Sequence, residues 1–169
     1  MTEISLNKQA RLSEHFTLGE LTKTSVKSLD RNIPSHEVIE NLKRLCPWLE
    51  ELRYTYNSLY CLKPGEDYET SKNVEPIIIT SGYRSPDVNR AVGGAYSSNH
   101  LTGCAVDIRC TGVEQAIRYA AILLDTADDR QEDFDELLLE RNRKGHYWVH
   151  FAVRPPKEVN RRKVRFIQA

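Results

Sequence analysis

The chain has 169 residues, 40% of them hydrophobic, and carries 24 lysines and arginines against 24 aspartates and glutamates. This length fits one compact domain, and the balanced charge provides no basic field that would favour nucleic acid as a partner. Residues 1–16 lack the apolar core of a secretory signal, and no apolar run approaches the roughly 20 residues of a membrane span. We therefore expect a soluble monomer made in the cytoplasm, with no nucleic-acid partner and no membrane span.

The first part of the chain indicates helices. Residues 16–35 predict a short helix and an irregular connection. Apolar side chains spaced by three and four residues predict a helix over residues 35–56 that packs on the core. Pro47 has no amide hydrogen to donate, so we expect a kink there or the start of a second helix. Residues 61–76 are rich in charge and turn formers and predict a surface loop.

Strands are predicted in the middle of the chain. Residues 77–79 are three isoleucines, which favours a strand buried on both faces. Residues 104–109 alternate with period two, which predicts a half-buried strand with Asp107 on the face away from the apolar side chains. The cysteines show no CxxC pairing, and we expect reduced, mostly buried thiols at Cys46, Cys61, Cys104 and Cys110.

The last part of the chain predicts one more helix and a hairpin. Thr111 and Glu114 stand at capping-box spacing before a predicted helix over residues 113–124. The acidic stretch that follows predicts a solvated connection over residues 125–135. Residues 135–140 and 146–153 then predict two strands joined by a basic turn. Because the helices lead and the strands cluster later, we expect the α+β class, with helices packed on a small, mainly antiparallel sheet.

Three side chains could form a metal site. Hydrolytic zinc sites use three protein ligands and keep one position open for water. Asp107 and His150 could project from two strands of one sheet, and His100 lies on the loop that leads into the strand of Asp107. Gly103, between them, suits a tight turn or a close backbone approach. From spacing alone, each histidine could equally be an ordinary hydrogen-bonded residue, and Asp107 an ion-pair partner.

The segment SSNHLTGCAVD, residues 97–107, fits the pattern SxHxxGxAxD and resembles the zinc D-Ala-D-Ala carboxypeptidase family of murein peptidases. The family's upstream arginine segment is matched by TSGYRSPDVNRAVGG, and its final histidine, in a tryptophan-containing strand, by YWVH. Residues 12–25 and 159–166 are similar to the lead segment and closing strand of the phage and prophage branch. The resemblance implies a Hedgehog-like fold.

The resemblance also implies one zinc peptidase domain over residues 1–169, with a helical lead segment over 1–60 and the sheet and metal site over 75–169. The implied ligands of Zn²⁺ are His100, Asp107 and His150. The residues implied at the substrate are Arg84, Ser98 and Trp148. Arg84 would grip a carboxylate or carbonyl, unless it forms a surface ion pair with Asp87. Ser98 could instead stabilise its loop, and Trp148 could simply pack.

The sequence departs from the family at the general base. Several members carry a carboxylate three residues before the last histidine, where this chain has Tyr147. The catalytic candidates are therefore Glu140, in a segment similar to FDQLIxE of the phage branch, and His146, expected on the strand face of His150. We favour Glu140 because a carboxylate suits general-base work. The alternative for Glu140 is an ion pair with the basic turn that follows it.

These observations predict a zinc-dependent peptidase that hydrolyses an amide bond in peptidoglycan stem peptides or crosslinks. Whether it acts as a D-Ala-D-Ala carboxypeptidase or an endopeptidase depends on whether loops such as residues 61–75 close one end of the groove. Tyr147 keeps open an alternative, a catalytically inactive zinc-binding module of the same fold that recognises the cell wall. The phage-like segments imply an endolysin-like product that acts on the wall after release by lysis.

Overall fold

The computed structural model describes residues 7–168. The predicted domain spans residues 1–169, and its residues 1–6 and 169 lie outside the described residues. Residues 1–6 also belong to the polar amino-terminal segment. The helices are α1 (Leu18–Leu21), α2 (His36–Tyr60), α3 (Pro86–Ala91) and α4 (Val113–Arg130), and a 3-10 turn spans Asn99–Thr102. The strands are β1 (Ile79–Ser81), β2 (Ala105–Cys110), β3 (Glu136–Arg141), β4 (Tyr147–Ala152) and β5 (Lys163–Gln168). This composition confirms the α+β class.

The strands form one five-stranded sheet in the order β1-β2-β4-β3-β5. Its pairs are antiparallel except β3–β5, which is parallel, so the sheet is mainly antiparallel as predicted. The expected hairpin joins β3 and β4. β5, in the segment predicted as a closing strand, forms an edge of the sheet beside β3. β2 and β4 lie inside the sheet, so each is hydrogen-bonded to a strand on both sides.

The hydrophobic core lies between one face of the sheet and helices α2 and α4. Ser35 caps α2 by accepting a hydrogen bond from the Val38 amide, and the helix runs to Tyr60 with Pro47 inside it, so no second helix begins at the proline. Trp48 of α2 packs on Phe151 of β4, with ring centroids 5.1 Å apart. Within residues 7–168, the helices include none that is long and apolar enough to cross a membrane.

Helix α4 begins at Val113 as predicted, but its cap and its carboxy-terminal end differ from the prediction. It begins after Gly112, which has no side-chain cap, and the amide of Thr111 donates to the side chain of Gln115, so the predicted capping box does not form. The helix continues through the acidic residues to Arg130, because Thr126 and Ala127 extend its buried face. The prediction of a solvated connection over residues 125–135 was therefore wrong for residues 125–130, and it was also wrong for Phe134 and Asp135, which are fully buried.

The strand predicted at the three isoleucines is also shorter than expected. β1 begins only at Ile79, and Ile78 is 39% exposed while its two neighbours are buried. The run is therefore not buried on both faces, because β1 lies at the edge of the sheet and pairs with β2 alone. The cysteine prediction is confirmed: all four are free thiols, and Cys61 is the one that is not fully buried.

Candidate metal centre and active site

Two histidines and one aspartate form a buried cluster on the sheet face opposite the core. Asp107 of β2 and His150 of β4 are direct register partners, which brings their side chains together on the same face. His100 comes from the 3-10 turn just before β2. The three residues are 8%, 7% and 2% exposed respectively, and one ligand atom of each lies within 4.8 Å of the others. The structure thus brings together all three sequence-predicted ligands.

The turn between His100 and β2 depends on Gly103. Its φ of 71° is in the left-handed region, and a Cβ there would lie 2.7 Å from the carbonyl oxygen of Val38 in α2. Both the turn and the close approach predicted for this glycine are therefore present. Ser98 caps the turn, since its hydroxyl accepts a hydrogen bond from the His100 amide at 3.3 Å.

Both imidazoles are oriented by hydrogen bonds at their outer nitrogens. Nδ1 of His100 donates to the Gly82 carbonyl at 2.6 Å, and Nε2 of His150 donates to Oε2 of Glu136 at 3.2 Å. In the neutral rings, the inner nitrogens then carry the lone pairs. These atoms, Nε2 of His100 and Nδ1 of His150, lie 3.3 and 2.9 Å from Oδ1 of Asp107. The two ring nitrogens and the carboxylate oxygen, each with a lone pair available to a metal, therefore converge on one region.

The carboxylates make this region electronegative. Burial raises the pKa of Asp107, but its interactions with His100 and His150 outweigh burial and hold the pKa well below its usual range. The hydrogen bond from His150 lowers the pKa of Glu136 to about 2. Burial lowers the pKa of His150, but the hydrogen bonds to Asp107 and Glu136 raise it to about 9. The site thus favours positive charge, whether a proton or a metal cation.

The cluster fits a tetrahedral metal ion. Zinc takes histidine nitrogens and carboxylate oxygens at about 2.0–2.2 Å, so ligand atoms in a tetrahedral site lie roughly 3.3 Å apart. The separations of 2.9 and 3.3 Å between Asp107 Oδ1 and the ring nitrogens are close to this value, and all three ligand atoms lie within 4.8 Å of one another. Two imidazoles and a carboxylate supply three ligands and leave a fourth position free, which is the arrangement of hydrolytic sites.

A cavity of about 560 Å³ opens onto the cluster, and all three residues predicted at the substrate line it: Arg84, Ser98 and Trp148. Arg84 does not pair with Asp87, which instead contacts Arg90. Its guanidinium forms an ion pair with Oδ2 of Asp107 at 2.7 Å and donates to the hydroxyl of Ser81 at 2.8 Å. Arg84 is therefore held beside a predicted metal ligand, and its guanidinium has further N–H donors that these two contacts do not use.

The two catalytic candidates occupy different places. Glu140 lines the metal cavity and lies opposite Trp148 in the β3–β4 register. Burial raises the pKa of Glu140, and the charge of Asp107 adds to this effect. Its carboxylate makes no hydrogen bond or ion pair with any residue of the described range 7–168, so the alternative of an ion pair with the following turn is not observed.

His146 is not part of β4, contrary to its predicted position on that strand. The preceding turn, with Gly145 at φ 82°, ends in a hydrogen bond from the His146 amide to the Asn142 side chain, and the strand begins one residue later at Tyr147. His146 lines a separate cavity of about 360 Å³ and is not among the residues that line the metal cavity.

Two partners of the histidines were missed from the sequence. Glu136 could have been found, because the alternation of β3 places Glu136 and Glu140 on the face that also carries His150. The Gly82 carbonyl left no such signal, since a backbone acceptor can be assigned only from the path of the chain.

Comparison with known proteins identifies a family. A model of the family described as Peptidase M15 matches residues 66–150, about half of the chain. That range includes the His100–Asp107–His150 cluster, together with Arg84 and Glu140. No curated protein matches the chain. Because the match covers half of the chain, the chain belongs to the peptidase M15 family.

Proposed function

We propose that the protein is a zinc-dependent peptidoglycan peptidase that hydrolyses an amide bond in stem peptides or crosslinks. The observation that carries the proposal is the buried cluster of His100, Asp107 and His150, with both rings oriented toward one point, in a chain of a peptidase family. Zinc held there would lower the pKa of a coordinated water and polarise the scissile carbonyl.

Glu140 is the proposed general base. It accepts a proton from the attacking water at its carboxylate and returns a proton to the leaving amine. Its place in the metal cavity and its unpaired carboxylate within residues 7–168 support this role, as does burial, which raises its pKa toward the working pH. In this proposal, Glu140 supplies from β3 the carboxylate that several members carry at the position of Tyr147.

Arg84 and Trp148 are the proposed substrate-positioning groups. Arg84 uses two of its five N–H donors on Ser81 and Asp107, which leaves donors for a substrate carbonyl or carboxylate. The side chain of Trp148 forms a wall of the cavity. Ser98 holds the turn that carries His100, and this is the role that its hydrogen bond supports.

We also propose that the protein acts on the cell wall after release from the cell, in the manner of a phage endolysin. This part rests on the similarity of residues 12–25 and 159–166 to the phage and prophage branch. The rival function, a zinc-binding module without turnover, rests on Tyr147 alone.

Mass spectrometry of purified sacculi digested with the zinc-loaded protein tests the proposal. We expect new peptide termini, which disappear when a chelator is added and in His150→Ala. Glu140→Gln should keep zinc and the fold but release no product. Glu114→Gln, at an exposed position of α4, is the matched control and should remain active.

Two outcomes would count against this function. Products that persist in the presence of chelator would exclude a metal-dependent reaction. A folded, zinc-loaded wild type that binds sacculi but releases nothing would instead support the binding module.

A further inference from the structure

A second polar group lies one row from the metal cluster on the same sheet face. Arg109 follows Asp107 by two residues on β2, so the two side chains project to the same side. Its register partner on β4 is Trp148, whose partner on β3 is Glu140. Two residues of a strand advance about 6.8 Å. Arg109 is therefore about two residues of an extended peptide away from the metal cluster.

Arg109 opens into a cavity of its own. This cavity of about 360 Å³ is lined by Thr80, Arg109, Cys110, His146, Tyr147 and Trp148. Trp148 also lines the metal cavity, so one aromatic side chain forms part of the wall of both. The volume lies at the lower end of the range for small-molecule sites and suits one or two amino-acid residues rather than a large ligand.

The charge of Arg109 is available to a ligand. The cations that line the metal cavity are all paired with carboxylates of this chain: Arg84, Arg154, Arg161 and Lys163. In contrast, the guanidinium of Arg109 is exposed and makes no hydrogen bond or ion pair with residues 7–168. The ring of His146, on the wall of the same cavity, also has no partner in that part of the chain.

We propose that this cavity is a substrate subsite in which Arg109 binds the carboxylate of a peptide residue one or two positions from the scissile amide. A planar guanidinium binds a carboxylate through two parallel hydrogen bonds, and a concave, partly apolar wall strengthens them by excluding water. The carboxylate is either the main-chain terminus of the peptide or a side-chain carboxylate. This inference rests on the proposed peptidase function.

Three acetylated peptides distinguish these sources. One ends in Lys-D-Ala-D-Ala with a free carboxylate, the second is its carboxy-terminal amide, and the third is the amide with a side-chain carboxylate one residue from the scissile bond. Each is tested for binding by calorimetry and for hydrolysis, with zinc-loaded wild type, Arg109→Met and Arg143→Met. Arg143 lies in the exposed turn before β4 and outside both cavities. Arg143→Met therefore removes the same charge as Arg109→Met without changing the proposed subsite, and it serves as the control.

We expect Arg109→Met to bind the carboxylate peptides about 10–100-fold more weakly, which is the effect of losing a charge-assisted pair, and to raise KM more than it lowers kcat. Binding of the amide, and all properties of Arg143→Met, should change less than about twofold. The peptide that loses affinity identifies the source of the carboxylate.

Equal losses for the carboxylate and amide peptides, or no loss, would overturn the subsite. Hydrolysis by the wild type with an unaffected Arg109→Met variant would refute the subsite and leave the peptidase function standing. Binding that depends on Arg109 without hydrolysis would refute the peptidase function and leave the subsite standing.

Discussion

Asp135, just before β3, joins the carboxy-terminal segment to the turn of the metal site. Its side chain is fully buried, and its carboxylate accepts hydrogen bonds from Arg161 at 2.6 and 2.9 Å and from Asn99 at 2.8 Å. Arg154 completes the network with an ion pair at 2.9 Å. Burial raises the pKa of Asp135, but the hydrogen bonds from Arg161 and Asn99 outweigh it and lower the pKa to about 2.

The substitution Asp135→Asn keeps the shape of the side chain and removes its charge. An aspartate in the unfolded chain has a pKa of about 3.9, so folding lowers it by about 2 units, at about 1.4 kcal/mol per unit. We therefore expect the variant to lose about 2.5 kcal/mol of unfolding free energy at neutral pH. Because the folded pKa is the lower one, this stabilisation is complete above about pH 5 and falls toward zero near pH 2, with about half left at pH 3.

Urea unfolding, followed by circular dichroism at pH 7 and pH 3, measures this loss. Asp133→Asn is the control, because that side chain is 54% exposed. Its ion pair with Arg162 should contribute less than about 1 kcal/mol to the free energy of unfolding. The reasoning fails if Asp135→Asn costs no more than the control at pH 7. It also fails if the cost is the same at both pH values, because the effect would then not arise from the charge.

Three further predictions follow from the site and its support. Glu136→Gln should weaken zinc binding about 10–100-fold in a chelator competition, because Glu136 accepts the hydrogen bond that orients His150. The control Glu114→Gln should leave zinc binding unchanged. Equal zinc affinities of the two variants would show that Glu136 does not position His150. Gly103→Ala should lower the free energy of unfolding in urea by at least about 2 kcal/mol, because of the positive φ and the nearby carbonyl. The control Gly112→Ala has open space around the new methyl group and should lower it by less than about 1 kcal/mol. Similar losses in the two variants would contradict the packing argument. In the native protein, a thiol reagent should modify Cys61 first, and mass spectrometry showing faster modification of a buried cysteine would disprove the burial assignments.

The sequence was most informative where the site is built locally. His100, Gly103 and Asp107 lie within one turn and the strand that follows it, so a short pattern specifies their relative positions. Strand alternation also places His150 on the polar face of β4, because successive side chains point to opposite sides whatever the strand pairs with. The α+β class followed in the same way from the order of periodic segments.

The tertiary structure decided everything that depends on register and packing. The hydrogen bond from His150 to Glu136 depends on the register of β3 and β4. The ion pair of Arg84 with Asp107 and the cavity beside Arg109 bring together residues from different elements. The extension of α4 through its acidic end is likewise a matter of packing, since its buried residues meet the core there. A sequence pattern reports the direction of a side chain along its own strand or helix, whereas its partner is set by which element lies beside it and at what offset.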